Sequence, residues 1–260
     1  MRLKKIGTIN GLALGLFCIF GAFLIEGGSL KALFLIPPIL IVFGGTFSAV
    51  IVGFGFEKFK MIFQLMKLAY FPKKYNYKET VDNFAEIAIE LRKNGILAVE
   101  RMLDRFEHYF PKKLIKFFID GADVDEIDNL ARMEMKAMQE RHFSNIFIFT
   151  KMGGYAPTMG ILGTVMGLIM TLANAGNDPE ELVRNIATAF IATLWGVFSA
   201  NLIWLPVGDR LKLCHSEEKL LMELTVEGVI ALRSGEIPSM VKTRLLSMLP
   251  PKDQEEKKSV

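Results

Sequence analysis

The stretch Met152–Asn177, MGGYAPTMGILGTVMGLIMTLANAGN, carries no charged side chain. A helix needs about 20 apolar residues to cross a bilayer core, so this run is long enough to span one. Gly160, Thr164, Gly167 and Thr171 lie four, three and four positions apart and share one helical face, while Ile161, Leu162, Val165 and Ile169 cover the rest. Bulk suits lipid. A small, hydroxylated face suits a second helix, where backbones approach and hydroxyls bond a carbonyl or something passing; it also suits a plain packing seam.

Further apolar runs cover about 6–25, 32–54 and 185–207, and 51% of the 260 residues are hydrophobic. The expected fold is an all-α polytopic membrane protein with four transmembrane helices and a helical cytoplasmic domain. MRLKK before an apolar run resembles a signal peptide, but no A-x-A site precedes Ile25, so the run is kept as a span. The expected divisions are a hairpin over 1–56, a cytoplasmic domain over 57–150, a second hairpin over 151–207 with spans 152–174 and 185–207, and a terminal helix and tail over 208–260. Gly7, Gly11 and Gly15 repeat along one side of the first span, as close packing requires. Pro37 and Pro38 suit the first turn of the second span, which also contains Gly44 and Gly45.

Lys58, Lys60, Lys67, Lys73, Lys74 and Lys78, with Arg2, Lys4 and Lys5, put both flanks of the first hairpin on the cytoplasmic side, and their place beside a span explains them without nucleic acid. Asp178, Glu180 and Glu181, with Arg184 the only basic neighbour, mark the outer loop. Both termini are therefore expected inside.

Between the hairpins, Val81, Phe84, Ile87, Ala88 and Leu91 have helical periodicity and Asn94-Gly95 supplies a stop. A helix over Ile96–Phe110 closed by Pro111, then one over Lys112–Ile119, is the expected continuation, and Gly121 breaks the pattern. No Pro or Gly occurs from Asp125 to Met152, so one helix runs from the cytoplasm into the central span. On the last span Ala189, Thr193, Gly196 and Ala200 form a second small face. Leu211, Leu221, Leu224 and Ile230 continue it as a cytoplasmic helix, and Lys252–Val260 is expected to be disordered.

Nothing points to an enzyme, cofactor or resident metal. His108, His142 and His215 are scattered, Cys18 and Cys214 make no disulfide framework, and the glycines near Gly44 lack a phosphate-loop lysine. Asp123, Asp125 and Asp128 read as an acidic helix start, because Ile127 stands where a calcium ligand belongs. None of the spans has an ionisable residue at mid-depth. Intramembrane ionisable groups carry most ion-coupled work, so a partner must bring the carboxylate if this chain harnesses an ion gradient.

The central segment GGYAPTMGILGTVMGLI resembles the MotA family of flagellar stator proteins, and more distantly ExbB and TolQ. The resemblance covers nearly the whole chain, including the early hairpin, the cytoplasmic insertion and a terminal G-x-x-P at Gly235–Pro238. It implies a homo-oligomeric ring of five copies in the bacterial inner membrane, around two MotB-type chains that supply the membrane aspartate and a peptidoglycan anchor. Ion flow would then turn the ring against the rotor protein FliG. By resemblance Thr164 and Thr193 line the ion path, with sodium favoured over the proton and a transient sodium near the pair. Pro157 and Pro206 couple ion binding to conformational change; a helix-interior proline can equally be a static bend. Arg92 and Glu100, within ELRKNGILAVERMLDR, correspond to rotor-facing charges. Both also suit helix dipoles, Arg92 near one helix's end and Glu100 in the next helix's first turns. Gly160, Gly167 and Gly196 serve helix packing. The alternative is an ExbB/TolQ-like energiser of an envelope machine.

Overall fold

The computed structural model describes residues 3–173 and 179–254. Arg2, the end of the central stretch at Asn174–Asn177, Asp178 and the tail beyond Gln254 lie outside the described residues. Helices are the only regular elements among the described residues: α1 Leu3–Ile25, α2 Leu30–Leu33, α3 Ile36–Ile39, α4 Gly45–Phe54, α5 Phe56–Tyr70, α6 Tyr77–Asn94, α7 Ile96–Glu100, α8 Tyr109–Ile119, α9 Val124–Ala173, α10 Pro179–Ser199, α11 Leu205–Arg233, α12 Pro238–Ser247 and α13 Pro251–Gln254. One π-helical turn, Leu40–Gly44, joins α3 to α4, and another, Ala200–Trp204, joins α10 to α11. The chain forms two compact units, residues 1–73 with 142–214 and residues 74–141 with 215–260.

The first unit holds the membrane-crossing residues; four helical segments are long and apolar enough to span, within Gly7–Ile25, Ile36–Phe54, α9 and Pro179–Arg233. The second span starts at Ile36 rather than Ala32. Pro37 and Pro38 sit in its first turn and have no N–H to carry a helix through from α2. The helix that carries the last span starts at Pro179, six residues before the expected span, with Glu180 and Glu181 in its first turn, where the helix dipole favours anions. The continuous α9 matches the expectation from its lack of breakers before Met152. Bulky side chains such as Phe17, Ile161, Ile169, Leu172 and Phe190 face outward, the arrangement hydrocarbon favours.

Gly55, at φ +80°, ends α4 and opens α5. Ile62, Leu65 and Ala69 of α5 are buried in one cluster with Val50, Phe149 and Trp204. This burial moves the first division from 56/57 to 73/74.

In the second unit Phe84, Phe110, Leu114, Ile115, Met138 and Met222 form a core with essentially no exposure. Asn76 caps α6: its side-chain oxygen accepts from the Glu79 amide while its amide group donates to the Glu79 carboxylate. Asp123 and Glu126 make the reciprocal pair, at 2.8 and 2.9 Å, that starts α9, and Ile127 is core. The expected helix over Ile96–Phe110 is broken. It is a short α7 and a 3₁₀ turn at Leu103–Arg105, and Pro111 lies inside the first turn of α8 rather than closing a helix. A proline there forfeits no hydrogen bond, so it opens a helix as readily as it ends one.

Candidate functional site in the helix seam and on the second unit

The two small faces meet. A Cβ placed on Gly160 would lie 2.9 Å from the Ala192 carbonyl oxygen and 3.1 Å from Thr193 Cα; one on Gly196 would lie 2.7 Å from the Ala156 carbonyl oxygen. A Cβ on Gly167 would lie 2.7 Å from that of Ala189. α9 and α10 therefore touch backbone to backbone, a contact that larger residues forbid. Gly163 belongs to the same seam, against Ala192, although the spacing of the small residues does not single it out.

Thr164 and Thr193 lie within this seam, and their hydroxyls are hydrogen-bonded to each other. The Thr164 hydroxyl also lies 3.1 Å from the carbonyl oxygens of both Gly160 and Ala189. With one proton it can satisfy only one acceptor at a time. Four oxygens, two hydroxyl and two carbonyl, thus gather at one point of two otherwise apolar helices. Neither Met152–Ala173 nor Asn185–Gly208 contains an ionisable side chain other than the phenol of Tyr155.

Pro157 lies in the unbroken interior of α9, and its Cα would be 3.2 Å from a Cβ on Gly196. Its missing N–H leaves the Gly153 carbonyl without its usual helical donor. Pro206 is the second residue of α11, directly after the π turn Ala200–Trp204. That turn widens the helix where the proline ring would otherwise press on the carbonyl of Leu202. Of the first-span glycines, Gly15 faces Leu202, whose side chain would lie 3.1 Å from a Cβ placed there, whereas Gly7 and Gly11 have open space. Within this chain the expected seam along α1 narrows to Gly15, because the other two glycines face no neighbouring helix.

Arg92 and Glu100 are both exposed on the second unit. The Arg92 guanidinium donates to the Gly235 carbonyl at 2.9 Å. Gly235, at φ +70°, closes α11: its amide donates to the Leu232 carbonyl and the Glu236 amide to the Ala231 carbonyl. Arg92 is thus tied to the G-x-x-P segment. Glu100 is the last residue of α7, not in its first turns, so the helix dipole does not explain it. Nearby, Glu86, Ile89, Glu90, Leu97, Arg101 and Arg105 line an open groove of about 700 Å³. Leu97 is 74% exposed there. The sequence signal for this groove is the same ELRKNGILAVERMLDR stretch; only the break after Glu100 gives it shape.

Residues 99–224 match the MotA/TolQ/ExbB proton channel family, and residues 9–95 match the motility protein A N-terminal family. Motility protein A of Bacillus subtilis is 34% identical, with 95% of this chain and 92% of that protein aligned. The chain belongs to the motility protein A family. Motility protein A of Treponema pallidum is 33% identical over 96% of this chain and 95% of its own length. The solved flagellar MotAB stator complex from Bacillus subtilis contains a chain with 33% identity and a TM-score of 0.88, covering 95% of this chain and 97% of that one. A family of ion channels and torque generators, not of enzymes, accounts for a membrane protein whose polar oxygens are hydroxyls and carbonyls in a helix seam.

Proposed function

We propose that this motility protein A family member is a stator subunit of a flagellar motor, coupling an ion-motive force across the bacterial inner membrane to rotation. The observation that carries the proposal is the Thr164–Thr193 oxygen cluster in a seam without carboxylates. Such a seam can line an ion path but cannot carry the charge itself. A MotB-type partner therefore brings the membrane aspartate and the peptidoglycan anchor, in a ring of five copies of this chain. The match of residues 9–95 to the motility protein A N-terminal family supports a motor over an ExbB/TolQ-like energiser. Neutral hydroxyl and carbonyl oxygens beside a partner carboxylate support sodium as the coupling ion over the proton, since hard cations favour such oxygens. Each charge crossing releases about 2.3 kcal/mol per 100 mV, so several must cross for each mechanical advance.

On the cytoplasmic unit, Arg92 and Glu100 meet the rotor protein FliG, and Pro157 and Pro206 transmit the change between ion site and rotor face. Tethered-cell rotation with sodium varied at fixed pH and membrane potential tests the whole reading. Speed is expected to follow sodium, and Thr193→Val is expected to abolish rotation while the complex still assembles. Rotation indifferent to sodium but stopped by an uncoupler makes the proton the ion; no rotation beside a competent rotor and partner sinks the motor itself. Arg92→Lys should keep rotation and Arg92→Glu lose it if charge meets the rotor. If the bond to Gly235 is the only role, both variants lower Tm and neither has a selective effect on torque.

A further inference from the structure

α5 leaves the membrane-spanning residues through Gly55 and presents two different faces. Ile62, Leu65 and Ala69 are buried in the protein, while Phe56, Phe63, Phe71, Lys60 and Lys67 are exposed. At 100° per residue, Phe56, Lys60, Phe63 and Lys67 fall on one stripe opposite the buried side. Phe56, Phe59 and Phe63 form an aromatic ladder with successive centroids 5.9 and 6.3 Å apart. The ladder continues into the second span, because the Phe59 ring packs edge-on against Phe47 at 5.5 Å. The Lys60 ammonium sits 4.9 Å from the Phe56 centroid and 3.0 Å from the Glu57 carboxylate.

We propose that this stripe is a binding site for anionic phospholipid headgroups at the membrane surface. The occupant follows from continuity and charge. The aromatic ladder joins the second span through the contact of Phe59 with Phe47, and the exposed lysines Lys60 and Lys67 lie on the same stripe as Phe56 and Phe63. Aromatic side chains anchor at the acyl boundary, and lysine stems lie along apolar surface with their heads among phosphates. The site is independent of which ion drives the protein, because none of its residues belongs to the threonine seam.

The test uses the full chain co-purified with its partner subunit and reconstituted into equimolar phosphatidylcholine and phosphatidylglycerol, with bromine on the acyl chains of one lipid or the other. A Phe63→Trp variant reports quenching, and the parent complex supplies the background of buried Trp195 and Trp204. Brominated phosphatidylglycerol is expected to quench Trp at position 63 at least roughly twofold more than brominated phosphatidylcholine, and Lys60→Gln with Lys67→Gln is expected to remove the difference. Equal quenching by the two lipids, or a preference that survives loss of the lysines, overturns headgroup recognition. Quenching by neither lipid overturns lipid contact altogether and assigns the face to protein, such as a second copy of this chain. Native mass spectrometry of the unsubstituted complex gives a second readout: phosphatidylglycerol must remain bound after phosphatidylcholine is lost, and lose that advantage in the lysine variant.

Discussion

The seam between α9 and α10 and the core of the second unit hold helices together by opposite means. In the seam the contacts are made by what is missing: Gly160, Gly167 and Gly196 bring main chain against main chain. In the second unit they are made by bulk, with Phe84, Phe110, Met138 and Met222 filling the interior. Lipid is as apolar as leucine, so burying leucine between membrane helices gains little, and close van der Waals approach decides association. Water penalises exposed apolar surface, so a unit in water gathers its large side chains instead. Only the first arrangement leaves polar oxygens aligned along an interface, which is where the Thr164–Thr193 pair sits.

The largest expected effect breaks the seam. Gly196→Val puts a branched side chain where a Cβ alone is 2.7 Å from the Ala156 carbonyl oxygen. Neither backbone can retreat without separating the helices, so assembled complex and swimming should both be lost. Gly154→Ala, on the same helix as Ala156 with nothing within 4 Å of its Cβ, should leave both unchanged. Equal yields of complex from the two variants would sink the backbone-contact account.

The second unit should yield more gradually. Phe84→Ala removes a fully buried ring packed on Phe106 and should cost about 3–5 kcal/mol, read as a lower Tm of the purified complex. Gly228→Ala tests the same ring from the other side, since the new methyl would lie 2.8 Å from it. A side chain can shift where a backbone cannot, so the cost should be smaller, about 1–3 kcal/mol. If Gly228→Ala proved as destructive as Gly196→Val, the distinction between the two kinds of core would fail.

These differences also explain what is legible in the sequence. That α9 and α10 each carry a small face is legible from spacing; that the two faces meet each other is not, because spacing names no partner. The continuous α9 follows from its lack of breakers. Other features depend on contacts remote in sequence. The bond from Arg92 to the Gly235 carbonyl joins residues 143 positions apart and leaves no periodic trace. α5 carries Lys58, Lys60 and Lys67, charges that read as the start of the expected cytoplasmic domain, but its buried stripe joins the first unit. The stop at Glu100 needs no Gly or Pro, so nothing local announces it; Val99, Met102, Leu103 and Phe106 are all drawn into one core instead. Gly7 and Gly11 mark the converse failure, where a seam pattern meets no helix of the same chain.

The smallest effect sharpens the comparison through pH. The Tyr77 hydroxyl donates to the Glu217 carbonyl at 2.9 Å. Burial, then the Glu217 and Asp253 carboxylates, push its phenol from 10.0 up to about 12. The folded second unit therefore holds this proton more tightly than the unfolded chain, and the resulting stability is complete below pH 10 and is lost as pH rises toward about 12. Tyr77→Phe should lower Tm at neutral pH by the equivalent of about 0.5–1.5 kcal/mol, the worth of one hydrogen bond. It should also flatten part of the alkaline decline in the stability of the second unit. The threonine seam has no titrating group of its own, so a crosslink between cysteines introduced across α9 and α10 should form equally well in both proteins throughout that range. An alkaline decline identical with and without the phenol would remove Tyr77 from the account. A decline that also opened the seam would mean that the two kinds of core do not melt separately.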